Sequence, residues 1–291
     1  MFPIIGLVIL LVMVFGGFAI TGGALGPVME AIPHEMLIIG GAALGALVIG
    51  NSMAELKAMG GGLMKVMKGP RYKKQDYLDT IFLVSKLMKM LRTDGPIALE
   101  PHVEDPASSA VFGEYPRLLA DHTLINLIAD TLRLVVVSSG TLDVHAVEEV
   151  MDNAIKTHHH EVQGPQTTLQ GLADALPALG IVAAVLGVIK TMASIDKPPE
   201  VLGQLIGGAL VGTFLGVFLA YGIVGPFADK VNAIRNEEHT FYTLIREALV
   251  ASLHKHTPQL CIEVARRNTP EHMRPSFSEM EEAIRETQKA A

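Results

Sequence analysis

The chain has 291 residues, of which 49% are hydrophobic and only 18% charged, with a formal net charge of −7 and a mean hydropathy of +0.38. That balance excludes an ordinary soluble enzyme and fits membrane spans joined to a water-soluble portion. The single cysteine, Cys261, rules out an internal disulfide and carries no assigned role.

The first apolar run, Phe2 to Ile20, lacks a basic leader and is longer than a typical signal-peptide core, so it reads as a retained helix. A second, glycine-rich run covers Met36 to Met53. A third begins near Ala175 and meets its first charge at Lys190. The fourth, Val201 to Ala228, is uncharged throughout and follows a turn at Asp196-Lys197-Pro198-Pro199. Each is long enough to cross a bilayer core, which takes about 20 apolar residues per helix. None of these four runs places a carboxylate, histidine or lysine near its middle. A proton-binding group on an ion path must then come from a partner.

Lysine and arginine are absent from Gly22 to Glu35, and the 190–200 link has two. They are frequent from Lys57 onward and again after Lys230, so both termini and the middle segment read as cytoplasmic. The predicted organisation is an all-α integral membrane protein. Residues 1–53 hold spans one and two, 54–171 a large helical cytoplasmic domain, 172–228 spans three and four, and 229–291 a helical cytoplasmic tail. The third and fourth helices extend into the cytoplasm.

Within the middle segment, Leu78, Ile81, Phe82, Met88 and Leu91 recur at helical spacing. So do Leu118, Ile125, Ile128, Leu132 and Val136, then Val144, Val147, Met151 and Ile155. In the tail, Val231, Ile234, Phe241, Leu244, Ile245, Leu249 and Leu253 continue a stripe that ends before Pro258. Ser278 with Glu281 has capping-box spacing and opens a last short helix through Ile284. Gly95-Pro96 ends the first cytoplasmic helix and sets Arg92 and Glu100 on either side of a turn. By spacing alone they are ordinary solvated charges.

In the fourth span Gly203, Gly207, Gly208, Gly212 and Gly216 recur at four-residue intervals, which points to close helix packing between subunits. Thr213 stands among them, a structural hydroxyl unless it lines a pore. Pro177 and Pro226 bend the third and fourth spans, and are expected at one depth near the cytoplasmic face. Asp174 lies one turn before Pro177. Neighbours on a helix point apart, so His158-His159-His160 reads as solvated histidines, not a metal site. Gly60-Gly61-Gly62 lacks the residues of a phosphate loop.

The string Leu176-Pro177-Ala178-Leu179-Gly180-Ile181-Val182-Ala183-Ala184-Val185, with Val211-Gly212-Thr213-Phe214-Leu215-Gly216, Ala220-Tyr221-Gly222 and Pro226, resembles the MotA/TolQ/ExbB proton-channel family, and within it the flagellar stator A subunits. Thr21-Gly22-Gly23, Tyr115-Pro116-Arg117, Leu132-Arg133-Leu134 and Arg274-Pro275-Ser276-Phe277 add to the likeness. The resemblance implies a bacterial inner-membrane, non-enzymatic subunit without cofactor, moving protons or else sodium. It implies a pentamer around a dimer of B stator subunits (MotB-like), whose aspartate binds the ion, and no nucleic-acid partner. It further implies that Thr213, Asp174 and Tyr221 line the ion path, that Pro177 and Pro226 couple ion passage to movement, and that Arg92 and Glu100 engage the rotor switch protein FliG. One departure is local: Asn153, Ala154 and Lys156 follow Met151-Asp152 where some relatives have more acidic residues. An ExbB- or TolQ-like energiser, or a non-conducting membrane scaffold, stand as the alternatives.

Overall fold

A computed structural model describes residues 2–69, 71–138 and 143–290, and no strand occurs among them. Among the described residues four helices are long and apolar enough to cross a membrane: α1 (Phe2–Ile20), α2 (Leu25–Gly50), α9 (Val144–Met192) and α10 (Pro199–Leu253). Between them lie α3 (Met53–Lys68), α4 (Lys74–Thr93), α5 (Pro96–Glu104), the short α6 (Ala110–Gly113) and α7 (Pro116–Leu119), and α8 (His122–Val137). The tail adds α11 (Pro258–Arg267), a 3₁₀ turn and α12 (Phe277–Ala290). The chain divides into two compact units, one of residues 1–69 with 162–234 and one of 70–161 with 235–291.

The first unit holds the apolar helices. Contacts at glycines fix their directions. Gly208 faces Ala31 and Gly212 faces Glu35, so α10 and α2 advance in parallel. Gly187 meets Ala209 while Gly180 meets Gly216, so α9 runs antiparallel to α10. Leu10 approaches Gly222, and Phe15 packs edge-on against Phe214 and Phe218 at 6.1 and 5.7 Å, which sets α1 antiparallel to α10. Helix α3 starts at a full capping box, Ser52 with Glu55, and its Gly62 lies against Pro165 and Val231. It belongs to this unit despite its lysines.

The second span differs from its sequence reading. Helix α2 begins at Leu25, eleven positions before Met36, and takes Pro33 into its interior. A proline within a membrane helix frees one carbonyl that neighbours can satisfy. Glu30, His34 and Glu35 therefore lie inside the helix that carries the second candidate span, whereas the sequence reading began that run after them, at Met36.

The second unit is built around Tyr77, Phe112 and Phe241, each fully buried, with α4, α5, α8, α11 and the ends of α9 and α10 packed about them. Tyr72 stacks on Phe241 with ring centroids 3.8 Å apart. The Tyr72 hydroxyl donates to Asp121 at 2.7 Å, Arg71 pairs with the same carboxylate at 2.9 Å, and Asp121 caps α8. Burial pushes the Tyr72 and Tyr77 phenols well above their usual range, so both stay neutral. Ser276, not Ser278, begins α12: its hydroxyl accepts from the Glu279 N–H, while Glu279 accepts from the Ser276 N–H at 2.6 Å. Arg274-Pro275 holds the preceding chain extended, and that moves the cap two residues earlier.

Candidate functional site

Glycine brings the third and fourth apolar segments into backbone contact. A methyl group on Gly216 would lie 2.7 Å from the Leu176 carbonyl oxygen and 2.8 Å from the Gly180 Cα; one on Gly180 would lie 2.9 Å from the Gly212 oxygen. Gly212 is also closed off by Ala183. Of the five-glycine series, then, Gly212 and Gly216 pack within this chain, correcting their assignment to contacts between subunits. Gly208 touches α2, whereas Gly203 and Gly207 have nothing within 4 Å and stay open for another chain. Gly180 and Gly187, which sequence reading passed over, supply the opposing face on α9. Their signal was there as small residues at helical spacing.

Thr213 is half-buried beside Gly212. Just beyond, residues Phe218–Val224 form a π-helical segment that contains Tyr221 and leads into Pro226. A π turn widens the helix and shifts its register, a device common at functional sites. Tyr221 is exposed within the single chain, as are Ile181, Val182, Val185 and Leu186 on α9. Asp174 is exposed and accepts from Gln170 Nε2 at 2.9 Å.

Pro177 and Pro226 do not share one level. Gly216 lies against Leu176, and Pro165 and Val231 both meet Gly62, so the antiparallel register sets Pro226 opposite residues near position 170. That is about seven residues, or ~10 Å, from Pro177 along α9. Each proline perturbs its helix at a separate depth.

In the second unit Gly95, at φ +86°, allows the reversal between α4 and α5, and Arg92 and Glu100 lie exposed on either side of it. One Arg92 guanidinium nitrogen donates to the His256 carbonyl at 2.7 Å. That bond holds the charged end of the side chain against the chain at His256. The motif arginines hold the fold: Arg117 pairs with buried Asp76 at 2.9 Å, Arg133 joins α8 to Glu104 and the Val103 carbonyl, and Arg274 donates to the Thr269 and Arg267 carbonyls. The histidine run is less solvated than expected. His158 packs edge-on against Tyr242 at 5.1 Å, and His159 lies 4.3 Å from His239. Burial holds His158 and His239 below the usual histidine range. Among the described residues no group of three or more histidine, cysteine or acidic side chains could hold a metal.

Taken together, apolar helices long enough to span a bilayer, a glycine-to-glycine crossing and a π-widened helix beside a lone threonine define a helical membrane protein of the channel-forming class. Two family models match the chain: "Motility protein A N-terminal" over residues 4–95 and "MotA/TolQ/ExbB proton channel family" over 121–243. Motility protein A of Salmonella typhimurium is 38% identical over 98% of this chain and 95% of its own length. The Escherichia coli protein of that name is 37% identical with the same coverage. Among solved structures, that of C. jejuni MotAB matches with a TM-score of 0.74, covering 94% of this chain and 98% of that one at 19% identity. The Bacillus subtilis flagellar MotAB stator complex gives 0.70 over 89% and 92% at 22% identity. The chain belongs to the MotA/TolQ/ExbB proton channel family, in its motility protein A branch.

Proposed function

We propose that this chain is the channel-forming subunit of a flagellar motor stator, converting an ion-motive force into torque without covalent chemistry. The supporting observation is the α9–α10 crossing, where Gly180, Gly212 and Gly216 bring two backbones together next to Thr213 and the π segment. Five copies of the chain surround a dimer of B subunits, in the inner membrane with both termini cytoplasmic. The similar structures from C. jejuni and Bacillus subtilis are of MotAB, with both A and B components. A proton entering from the periplasm neutralises the B-subunit aspartate, which removes the penalty of a buried charge and changes the A subunit it packs against best. Thr213 and Tyr221 border that path and Asp174 its exit, while Pro177 and Pro226 supply bends at two depths through which packing changes spread.

One proton crossing 100 mV releases about 2.3 kcal/mol, so each step works between packings of nearly equal energy. A crossing on bare backbone suits this, having few side-chain rotamers to reorder. The ring turns, and Arg92 and Glu100 pass the motion to FliG through complementary charge. Their exposure and the tether from Arg92 to the His256 carbonyl suit a fixed contact point.

Arg92→Glu tests the rotor contact. Swimming is lost while co-purification with the B subunit is unchanged, and a compensating charge reversal on the rotor restores it. Normal swimming in the single mutant refutes the contact.

A further inference from the structure

The membrane unit contains a carboxyl group that the mechanism above does not use. Glu35 lies on α2 level with Gly212 and Ala183, and Ala183 stands about midway between Asp174 and Lys190, the charges that bound the apolar run of α9. The glutamate is only 7% exposed, and its Oε2 has no hydrogen-bond partner. That oxygen is seated directly over Gly212: a methyl group there would lie 2.6 Å from it. Glycine at this position is what makes room for the carboxyl, and Thr213 is the next residue.

Few charges bear on this group. The ones that do are His34, the preceding residue, and Lys190 on α9. Glu30 lies one turn earlier on α2, and its backbone carbonyl is bonded to His34 Nδ1 at 3.3 Å. Helix α10 carries no charged residue between Glu200 and Asp229, α9 none between Asp174 and Lys190, and α1 none at all. A buried oxygen with no donor from the protein needs a partner from elsewhere, and in hydrocarbon an acidic residue facing the bundle interior marks a proton relay.

We propose that Glu35 is a proton-binding site of this chain on the ion path, taking a proton on Oε2 and releasing it toward the B-subunit acid. Only an O–H bond forms and breaks. The relay rests on the channel reading above, whereas the presence of the site does not. Gly212 positions the carboxyl, and the A subunit contributes an acid of its own beside the borrowed one.

The test uses the A–B complex reconstituted in liposomes, with Glu35→Gln, which keeps the shape and cannot titrate, and Glu35→Asp, which keeps the acid. Infrared difference spectra on a pH step show a carboxyl C=O band in the wild type and in Glu35→Asp that is missing in Glu35→Gln. Proton flux falls several-fold in Glu35→Gln and recovers in part in Glu35→Asp, with equal B-subunit content in all three. A band that persists in Glu35→Gln overturns the site. A lost band with unchanged flux overturns the relay, since the proton then serves only packing. Should Glu35→Gln not assemble, Gly212→Ala displaces Oε2 and must shift the same band; an unmoved band overturns the assignment. A wild-type complex that conducts no protons refutes the channel reading, and the infrared result then decides the site by itself.

Discussion

A side chain at position 216 has nowhere to go. Its first carbon would press on the Leu176 carbonyl oxygen and the Gly180 Cα, both backbone atoms that cannot rotate aside as a flexible side-chain end would. Gly216→Ala must therefore separate α9 from α10, and overpacking of this kind costs about 1–3 kcal/mol. Thermal unfolding of the detergent-solubilised A–B complex shows the loss, whereas Gly203→Ala, at a position with nothing within 4 Å in this chain, does not destabilise the subunit itself. An unshifted transition in Gly216→Ala refutes the close crossing. Glu35 teaches the complementary lesson. Its neighbours in sequence, Pro33 and His34, look like a span boundary, and only the helix that continues through them places the carboxyl over Gly212.

Helices are held at their ends by charges whose ionisation can be followed. Lys74 and the Ser276 cap hold the Glu279 carboxyl down to about 2, and Arg266 with Arg267 holds Glu263 at about 2. Both groups start from 4.5, so their stabilising contribution is complete above pH 4.5 and is lost as the pH falls toward 2. The Lys74–Glu279 bond, 2.7 Å long, ties α12 to the start of α4. Acid-active protease should cleave around α12 faster as the pH drops through that window. Lys74→Ala should bring the faster cleavage to higher pH, and a pH-independent rate in the wild type refutes the tether. At this scale the sequence was readable wherever periodicity was strong. It placed the Gly95-Pro96 break and the long α10 stripe, because proline and positive-φ glycine act locally. It missed the Ser276 cap, since Ser276 and Ser278 each stand three residues before a glutamate and only the backbone path through Pro275 chooses between them.

At the scale of the molecule, the membrane unit leaves an apolar face of α9 uncovered, with Val182, Val185 and Ile189 each more than half exposed. Lipid or further chains of the assembly must cover it. A lysine at a helix centre costs about 2.5–3.5 kcal/mol in the membrane. Val185→Lys is therefore expected to lower the amount of A–B complex recovered from membranes, measured by co-purification, and undiminished recovery would show that this face meets water instead. Arg92 and Glu100 illustrate the limit of a single chain. Their exposure and their turn are visible, while the rotor contact proposed for them was suggested by resemblance and not by periodicity.

Composition and run length alone pointed to a helical membrane protein with four candidate spans, since the cost of exposing charge or unpaired backbone to hydrocarbon leaves few alternatives. The motif strings alone reached the family. Only tertiary structure decided that Gly212 and Gly216 meet their own chain, that Pro177 and Pro226 lie at different depths, and that Glu35 is interior. Each depends on the register between helices far apart in sequence, and register is set by the sum of many small packing contacts that no local pattern records.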